Sequence, residues 1–298
     1  MFRPIKRDSG EVEKIERNRL TAWQDIRMRL YSNKLAMIGF WITVAVVVIA
    51  IFAPLIYPYD HFTNELSKTN LPPSSQHWFG TDELGRDLFA RTWKGAQVSL
   101  FVGCAAALID LFIGIIYGGI MGYYGGKVDE VMNRFAEILY AIPYLLVVIL
   151  LLVVMEPSLT TIIVAMSITG WINMAWIVRG QIMQLKNQEY ALASKALGAG
   201  AMRIIFRHLI PNAMGPILVT MTLTVPSAIF TEAFLSFLGL GVQSPVASWG
   251  TMINDGVKSM TIYPWRLFFP AFFLSLTMFA FNVFGDGMRD AFDPKLKK

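Results

Sequence analysis

The side chains that most often carry out catalysis or bind metal ions are few and scattered in this sequence. Its three histidines, His61, His77 and His208, are far apart, and its single cysteine, Cys104, lies inside an apolar run. Such spacing does not suit a metal site, and a lone cysteine excludes an internal disulfide. The chain also lacks a phosphate-binding loop ending in Gly-Lys-Ser/Thr and a His-Glu-x-x-His motif. We therefore predict no catalytic residue, no metal site and no cofactor in this chain.

Polar residues inside apolar runs are the remaining candidates for a chemical role. Asp110 and Glu232 each interrupt a long apolar run, and Trp171 and Asn173 lie within another. An uncompensated charge at membrane depth costs at least several kcal/mol, so such residues commonly mark a transport path. The alternative is that each pairs with a neighbouring helix and serves packing. We keep both interpretations for these four candidate substrate-path residues.

These four residues lie in stretches that are expected to form membrane-spanning helices. Of the 298 residues, 55% are hydrophobic and 16% are charged, whereas a soluble domain carries about a quarter of charged residues. Several stretches are long enough to cross a bilayer as a helix. The net charge of +5 is therefore attributed to membrane-flanking segments, and nucleic acid is not an expected partner. The expected fold is an all-α polytopic membrane protein with six spans, 35–56, 96–122, 128–155, 159–178, 213–239 and 266–284.

Two of these spans carry residues with specific packing consequences. Pro143 is expected to kink the third span, because proline removes a helical hydrogen bond. Small residues allow membrane helices to pack closely. In the second span these are Gly114, Gly118, Gly119 and Gly122.

The distribution of basic residues predicts the orientation. The N-terminal 34 residues, the 123–137 turn, the 179–212 loop and the C-terminal tail hold 20 of the 26 Lys and Arg residues. Cytoplasmic segments are enriched in these residues, so both termini are predicted to be cytoplasmic and residues 57–95 extracellular.

The N-terminal segment 1–34 has its own pattern. Apolar residues recur at roughly helical spacing among arginines, which predicts a helix on the membrane surface, with a solvated tail as the alternative. The apolar positions are Val12, Ile15, Leu20, Trp23, Ile26 and Leu30.

The stretch 181–212 is a polar and basic interval between two spans. Helix-forming residues run from Glu189 to Leu197, and Gly198 and Gly200 then interrupt the pattern before it resumes at Met202. Pro211 is expected near the first turn of the following helix. The predicted arrangement is a helix, a turn with two glycines and a second helix.

This stretch resembles the cytoplasmic loop of permease subunits in ABC importers. The motif Glu-Ala-Ala, three residues, Gly, nine residues, Ile-x-Leu-Pro falls on Leu192, Ala193, Ser194, Gly198, His208, Ile210 and Pro211. Leu192 and His208 depart from it. Three further stretches, FGTDELGRD from Phe79, EAFLSFLGLGVQSPVASWG from Glu232 and GDGMRDAFDP from Gly285, are similar to the C-type permease subunit of dipeptide, oligopeptide and nickel importers. We expect Gly80, Gly85, Gly285 and Gly287 to form tight turns, locked by neighbouring Asp and Arg side chains.

The resemblance implies a type I ABC importer fold and a transport subunit rather than an enzyme. It implies four kinds of partner in a bacterial or archaeal plasma membrane: a second, B-type permease, two ATPase subunits that bind ATP and Mg²⁺, an extracellular substrate-binding protein and the lipid bilayer. The loop 181–212 would dock on an ATPase. The residues implied in this coupling are Glu189, Tyr190, Leu192, Ala193, Ser194, Leu197, Gly198 and Ala199.

The expected cargo is a peptide, either an oligopeptide or a dipeptide. Nickel and glutathione are the alternatives within the family that the chain resembles. A channel or a membrane enzyme is the alternative from another class, although neither would require the 181–212 loop.

Overall fold

Long α-helices make up most of the chain. The computed structural model describes residues 21–243 and 245–293, and these ranges contain no strand, only an isolated bridge between Thr81 and Asp87. The helices are α1 (Ala22–Ser32), α2 (Lys34–Ile56), α3 (Leu88–Tyr124), α4 (Gly126–Ala141), α5 (Tyr144–Val154), α6 (Leu159–Thr169), α7 (Trp171–Leu185), α8 (Glu189–Ala196), α9 (Ala201–Ile204), α10 (Ile210–Phe237), α11 (Trp249–Ser259) and α12 (Trp265–Phe292).

Five helical segments in the described ranges are long and apolar enough to cross a membrane, and the pair α4–α5 makes a sixth if it is counted as one bent span. The bend between α4 and α5 is 79°. Its cause is Pro143, because proline disfavours helical backbone at the preceding residue, and Ile142 accordingly has ψ 125°. The predicted kink is confirmed, and it divides the predicted span 128–155 into two helices.

Helix α3 lies against α7 along a stripe of glycines. A Cβ added at Gly118 would overlap the carbonyl oxygen of Ala175, and one added at Gly122 would lie 2.7 Å from the carbonyl oxygen of Arg179. A Cβ added at Gly114 would lie 2.5 Å from Cγ of the Met174 side chain. Close approach of the two backbones therefore depends on the absence of side chains here, as the small-residue pattern predicts.

The C-terminal motif corrects one expectation. Gly285 and Gly287 do not form turns, because both lie inside α12, which continues to Phe292 instead of ending near 284. A Cβ at Gly287 would overlap the side chain of Ala36 in α2, and one at Gly285 would lie 2.7 Å from Leu223 in α10. The glycines in this motif allow helices to pack closely.

The entry into the fifth span confirms the expected position of Pro211 and adds a π-helical segment before it. Pro211 lies in the first turn of α10, as predicted. The chain is already helical before it, because the segment from Ala201 to Phe237 is continuous. A π-helical segment, Ile205–Leu209, precedes Pro211, and the N–H of Ile210 bonds to the carbonyl of Ile205. Proline has no N–H to donate, and local π geometry is one way for a helix to continue past such a residue.

The segment between α2 and α3 folds into a compact loop. Gly80 and Gly85 have φ 80° and 73°, so these two tight turns are confirmed. The Asp82 carboxylate accepts a hydrogen bond of 2.7 Å from Arg86 Nε, as expected for a locked turn. Arg266, at the start of α12, donates to Glu83 Oε2 at 3.1 Å and ties the loop to the helical bundle.

The first and last described segments of the chain, α1 and the end of α12, contact each other. Arg29 of α1 donates to the carbonyl oxygen of Asp293, and the rings of Trp23 and Phe292 are 6.0 Å apart. Val12, Ile15 and Leu20 lie outside the described residues. Helix α1 begins with a capping box at Thr21, and its position on a membrane surface stays a prediction.

Candidate functional site

The first candidate site is α8 with the turn that follows it. The N–H of Gly198 bonds to the Lys195 carbonyl and the N–H of Ala199 to the Ser194 carbonyl, both at 3.0 Å. This pair of bonds is the Schellman arrangement, which needs a left-handed residue after the helix. Gly198 supplies it with φ 83°. The glycine therefore ends α8 and sets the direction of the chain towards α9.

One face of α8 is anchored and the other is open. Ala191 is 3% exposed and packs with Ile182 and Ile204 in an apolar cluster. Leu192 and Leu197 are 52% and 88% exposed. Among the predicted coupling residues, the exposed ones are Glu189, Tyr190, Leu192, Ala193, Leu197 and Gly198, and the partly buried ones are Ser194 and Ala199. An apolar surface of this kind, on a polar loop, is suited to binding another protein.

A basic groove of about 480 Å³ adjoins this surface. Arg203, Arg207 and His208 line it together with Leu197 and Gly198. The sequence pattern did not assign a role to Arg203 and Arg207, although both are charged residues one turn apart in the same loop. The groove would attract an acidic partner surface.

Helix α7 connects α8 to the membrane bundle. Lys186, directly after α7, donates from Nζ to the carbonyl oxygens of Gly122 and Tyr123 at 2.8 and 3.1 Å. These are terminal carbonyls of α3, where a cation is favoured by the helix dipole. Arg179 also forms a two-bond ion pair with Asp129 of α4, with the shorter bond at 2.5 Å. The base of the loop is thus fixed to α3 and α4.

The second candidate site is a polar cavity of about 430 Å³ between α3, α5, α6, α7 and α10. Asp110 and Asn173, two of the four predicted substrate-path residues, both line it. Asp110 is 5% exposed, and its carboxylate lies against Gly170, where a Cβ would overlap Oδ2. The glycine between α6 and α7 therefore makes room for the carboxyl group.

The opposite wall of the cavity is a hydroxyl stripe on α10, consisting of Thr220, Thr224, Ser227 and Thr231. Their spacing of four, three and four residues puts them on one face of the helix. Tyr144 of α5 also lines the cavity, as does Thr169 of α6. The sequence analysis missed these six residues, although the stripe could have been found from its helical period.

Trp171 and Glu232 do not line this cavity. The Trp171 indole donates to the Ile168 carbonyl at 2.9 Å and packs on Tyr117, so it serves contact between helices. Glu232 is fully buried and accepts hydrogen bonds from Ser99 and Ser236 at 2.7 and 2.8 Å. Ser99 in turn accepts from the N–H of Trp249, which joins α3, α10 and α11. The arrangement around Glu232 is that of a structural network.

Comparisons with known proteins identify the family. Residues 114–298 match the family model described as the inner membrane component of binding-protein-dependent transport systems, and residues 21–73 match the N-terminal transmembrane domain of oligopeptide transport permease C. These matches confirm the predicted resemblance and the helical permease fold.

Individual relatives agree over the whole length. The chain is 61% identical to the oligopeptide transport system permease protein of Bacillus subtilis, over 100% of this chain and 98% of the relative. It is 59% identical to the dipeptide transport system permease protein of the same organism, over 97% of this chain and 90% of the relative. It is 43% identical to the oligopeptide transport system permease protein of Escherichia coli K12, over 95% of this chain and 94% of the relative. The chain therefore belongs to the family of inner membrane components of binding-protein-dependent transport systems.

Proposed function

We propose that this chain is the transmembrane permease subunit of an ATP-driven peptide importer. The cargo follows from relatives at 61% and 59% identity, which are named for oligopeptide and dipeptide transport. The observation that carries the coupling part of the proposal is the open apolar face of α8, held on a helix that is itself fixed to the bundle.

The proposed assembly contains a second, B-type permease subunit, two ATPase subunits with ATP and Mg²⁺, and an extracellular binding protein. It lies in a bacterial or archaeal plasma membrane, with both termini and the 181–212 loop in the cytoplasm. The excess of basic residues in these segments supports this orientation. The contact between Arg29 and the Asp293 carbonyl supports the placement of both terminal segments on the same side of the membrane. Residues 1–34 would form a cytoplasmic N-terminal segment and 35–298 the permease domain.

In the proposed mechanism, α8 docks in a cleft of one ATPase. Leu192 and Leu197 would supply apolar contact, and the groove lined by Arg203 and Arg207 would receive acidic side chains. ATP-driven closure of the ATPase pair would move α8 as a rigid body. Lys186 and the tight α3–α7 packing would transmit this motion to the spans, because a packed helix pair moves together rather than deforming.

The polar cavity would form part of the substrate path. A path for peptides must offer hydrogen-bonding groups inside an otherwise apolar bundle, since peptide N–H and C=O groups are costly to bury alone. Asp110, Asn173 and the hydroxyl stripe supply such groups. We place Trp171 and Glu232 beside the path, as packing residues.

The experiment that tests this function is uptake by the purified complex in proteoliposomes. The tagged chain is purified in mild detergent with its co-expressed subunits, and a loaded binding protein delivers a radiolabelled peptide. We expect co-purification of a second permease and ATPases, and accumulation only with ATP. Nickel and glutathione serve as competing cargoes. Uptake without ATP would indicate a channel, and a chain that purifies alone, under conditions where a known importer stays whole, would contradict the proposed assembly.

A further inference from the structure

The cavity between α3, α5, α6, α7 and α10 contains two buried polar groups without partners in the described ranges. Asp110 Oδ1 and the Tyr144 hydroxyl are both buried and accept or donate no hydrogen bond within the described ranges. The Asp110 carboxylate also has no Lys, Arg or His side chain within ion-pair distance in those ranges. Glu232, by comparison, accepts two hydroxyl hydrogen bonds. A buried carboxylate without a partner costs free energy. We therefore expect a bound ligand to supply the missing hydrogen-bond partner of Asp110.

The lining of the cavity restricts what that ligand can be. Among the residues described as lining it, Asp110 is the only ionisable carboxylate. An ionised carboxylate only accepts hydrogen bonds, so its partner must be a donor, and a cation is favoured. A bare divalent ion would need several more oxygen ligands held at short distances. An ammonium group needs only hydrogen-bond acceptors, and their distances and angles can vary more than those of metal ligands.

The hydroxyl stripe fits the rest of such a ligand. Thr220 and Thr224 donate to carbonyls one turn earlier in α10, at 2.8 and 2.9 Å. Their oxygens therefore keep free lone pairs, which accept N–H groups. Asn173 offers an amide that both donates and accepts, and Met166 and Leu223 add apolar surface. These groups suit an amine followed by a peptide bond and a side chain.

We propose that Asp110 receives the protonated amino group of a peptide as it crosses the membrane. The Tyr144 hydroxyl and the Asn173 amide lie beside it as secondary hydrogen-bond partners. This inference rests on the proposed peptide import. Asp110 is the one carboxylate among the described lining residues, so the amino group makes a single charged contact. A single contact of this kind can bind the amino group and still release it, as a transport path requires.

The first test measures the charge preference of the cavity without any transport. Cys104 is the only cysteine, so the Cys104→Ser background allows a single reactive thiol to be placed at Thr224→Cys in the complete complex. Reaction rates are measured with a cationic and an anionic methanethiosulfonate reagent of similar size. We expect the cation-to-anion rate ratio to fall about tenfold when Asp110→Asn is added, the equivalent of one charge-assisted contact. The control thiol, Thr69→Cys in the loop before α3, should show no response to Asp110→Asn.

The second test is ATP-dependent uptake of a peptide with a free amino terminus. We expect Asp110→Asn to lower uptake about tenfold, while Asp110→Glu keeps part of it. A rate ratio that does not depend on Asp110, or an unreactive Thr224→Cys, would overturn the site. A ratio that depends on Asp110 with unchanged uptake would overturn recognition of the amino group.

The two tests separate this inference from the proposed function. If the unmodified complex takes up no peptide, the proposed function fails, and peptide amine recognition fails with it. The labelling experiment would still establish whether the cavity prefers cations. If uptake is normal and the rate ratio is not affected by Asp110→Asn, the function stands and only the amine site is wrong.

Discussion

At the scale of single residues, Gly198 and Gly200 make a matched pair. Both lie in the same turn, and a Cβ at either would meet no described atom within 4 Å. Their backbone conformations differ, because φ is 83° at Gly198 and −68° at Gly200. A left-handed conformation costs an L-residue about 1 to 2 kcal/mol, a factor of about 5 to 30 in population.

We therefore expect Gly198→Ser to lower ATP-dependent uptake at least about fivefold, because α8 loses its fixed end. Gly200→Ser should leave uptake unchanged, since serine suits the N-cap position that Gly200 occupies before α9. Both variants should insert into the membrane normally, as measured by their amount in purified membranes. Equal uptake by the two variants would argue against a role for this turn.

Substitutions of the two buried carboxylates, Glu232 and Asp110, are expected to differ in their effect on stability. Glu232→Ala leaves the hydroxyls of Ser99 and Ser236 without their acceptor, which costs about 1 to 3 kcal/mol for each buried group left unsatisfied. Asp110→Asn removes no hydrogen bond of the described structure. Thermal unfolding of the purified chain should show a lower Tm for Glu232→Ala and an unchanged or higher Tm for Asp110→Asn. A large drop for Asp110→Asn would mean that Asp110 has a structural role.

At the scale of helices, the α3–α7 contact predicts a position-dependent effect of adding one methyl group. Gly118→Ala would place a Cβ against the Ala175 carbonyl oxygen and should destabilise the chain by about 1 to 3 kcal/mol. Gly180, on α7, meets no described atom within 4 Å. Gly180→Ala should be neutral or stabilising by about 1 kcal/mol, because alanine favours helix. Thermal unfolding of both variants in the same detergent compares them directly, and similar Tm values would contradict this packing.

The helices themselves were predictable wherever local sequence decides them. Each predicted span overlaps one of the long helical segments or the bent pair α4–α5, Pro143 located the bend, and Gly198 located the end of α8. The end of α12 was not predictable in this way, since Gly285 and Gly287 read as turn residues until Ala36 and Leu223 are known to pack on them. The cavity was only half predicted. Asp110 is conspicuous as a charge in an apolar run, whereas Tyr144 and the hydroxyl stripe acquire a role only through contacts between distant helices.

At the scale of the whole molecule, the orientation can be tested with single cysteines in the Cys104→Ser background. Asn64→Cys lies in the predicted extracellular segment and Asn187→Cys in the predicted cytoplasmic loop, and both positions are exposed. A membrane-impermeant maleimide should label the first in intact cells and the second only after permeabilisation. The reverse pattern would invert the orientation and with it the proposed direction of transport.

In the proposed complex, α8 and the turn after it form the contact between this permease and an ATPase subunit. The most direct measurement places a photo-crosslinking amino acid at Leu197, which is 88% exposed, and at Met260 after α11, which is 51% exposed, as the control. The complete complex is irradiated in native membranes, and the crosslinked partner is identified by mass spectrometry. We predict an ATPase subunit on position 197 and none on position 260. A complex that contains the ATPases and takes up peptide, yet gives no crosslink from position 197 to either of them, would contradict docking through α8.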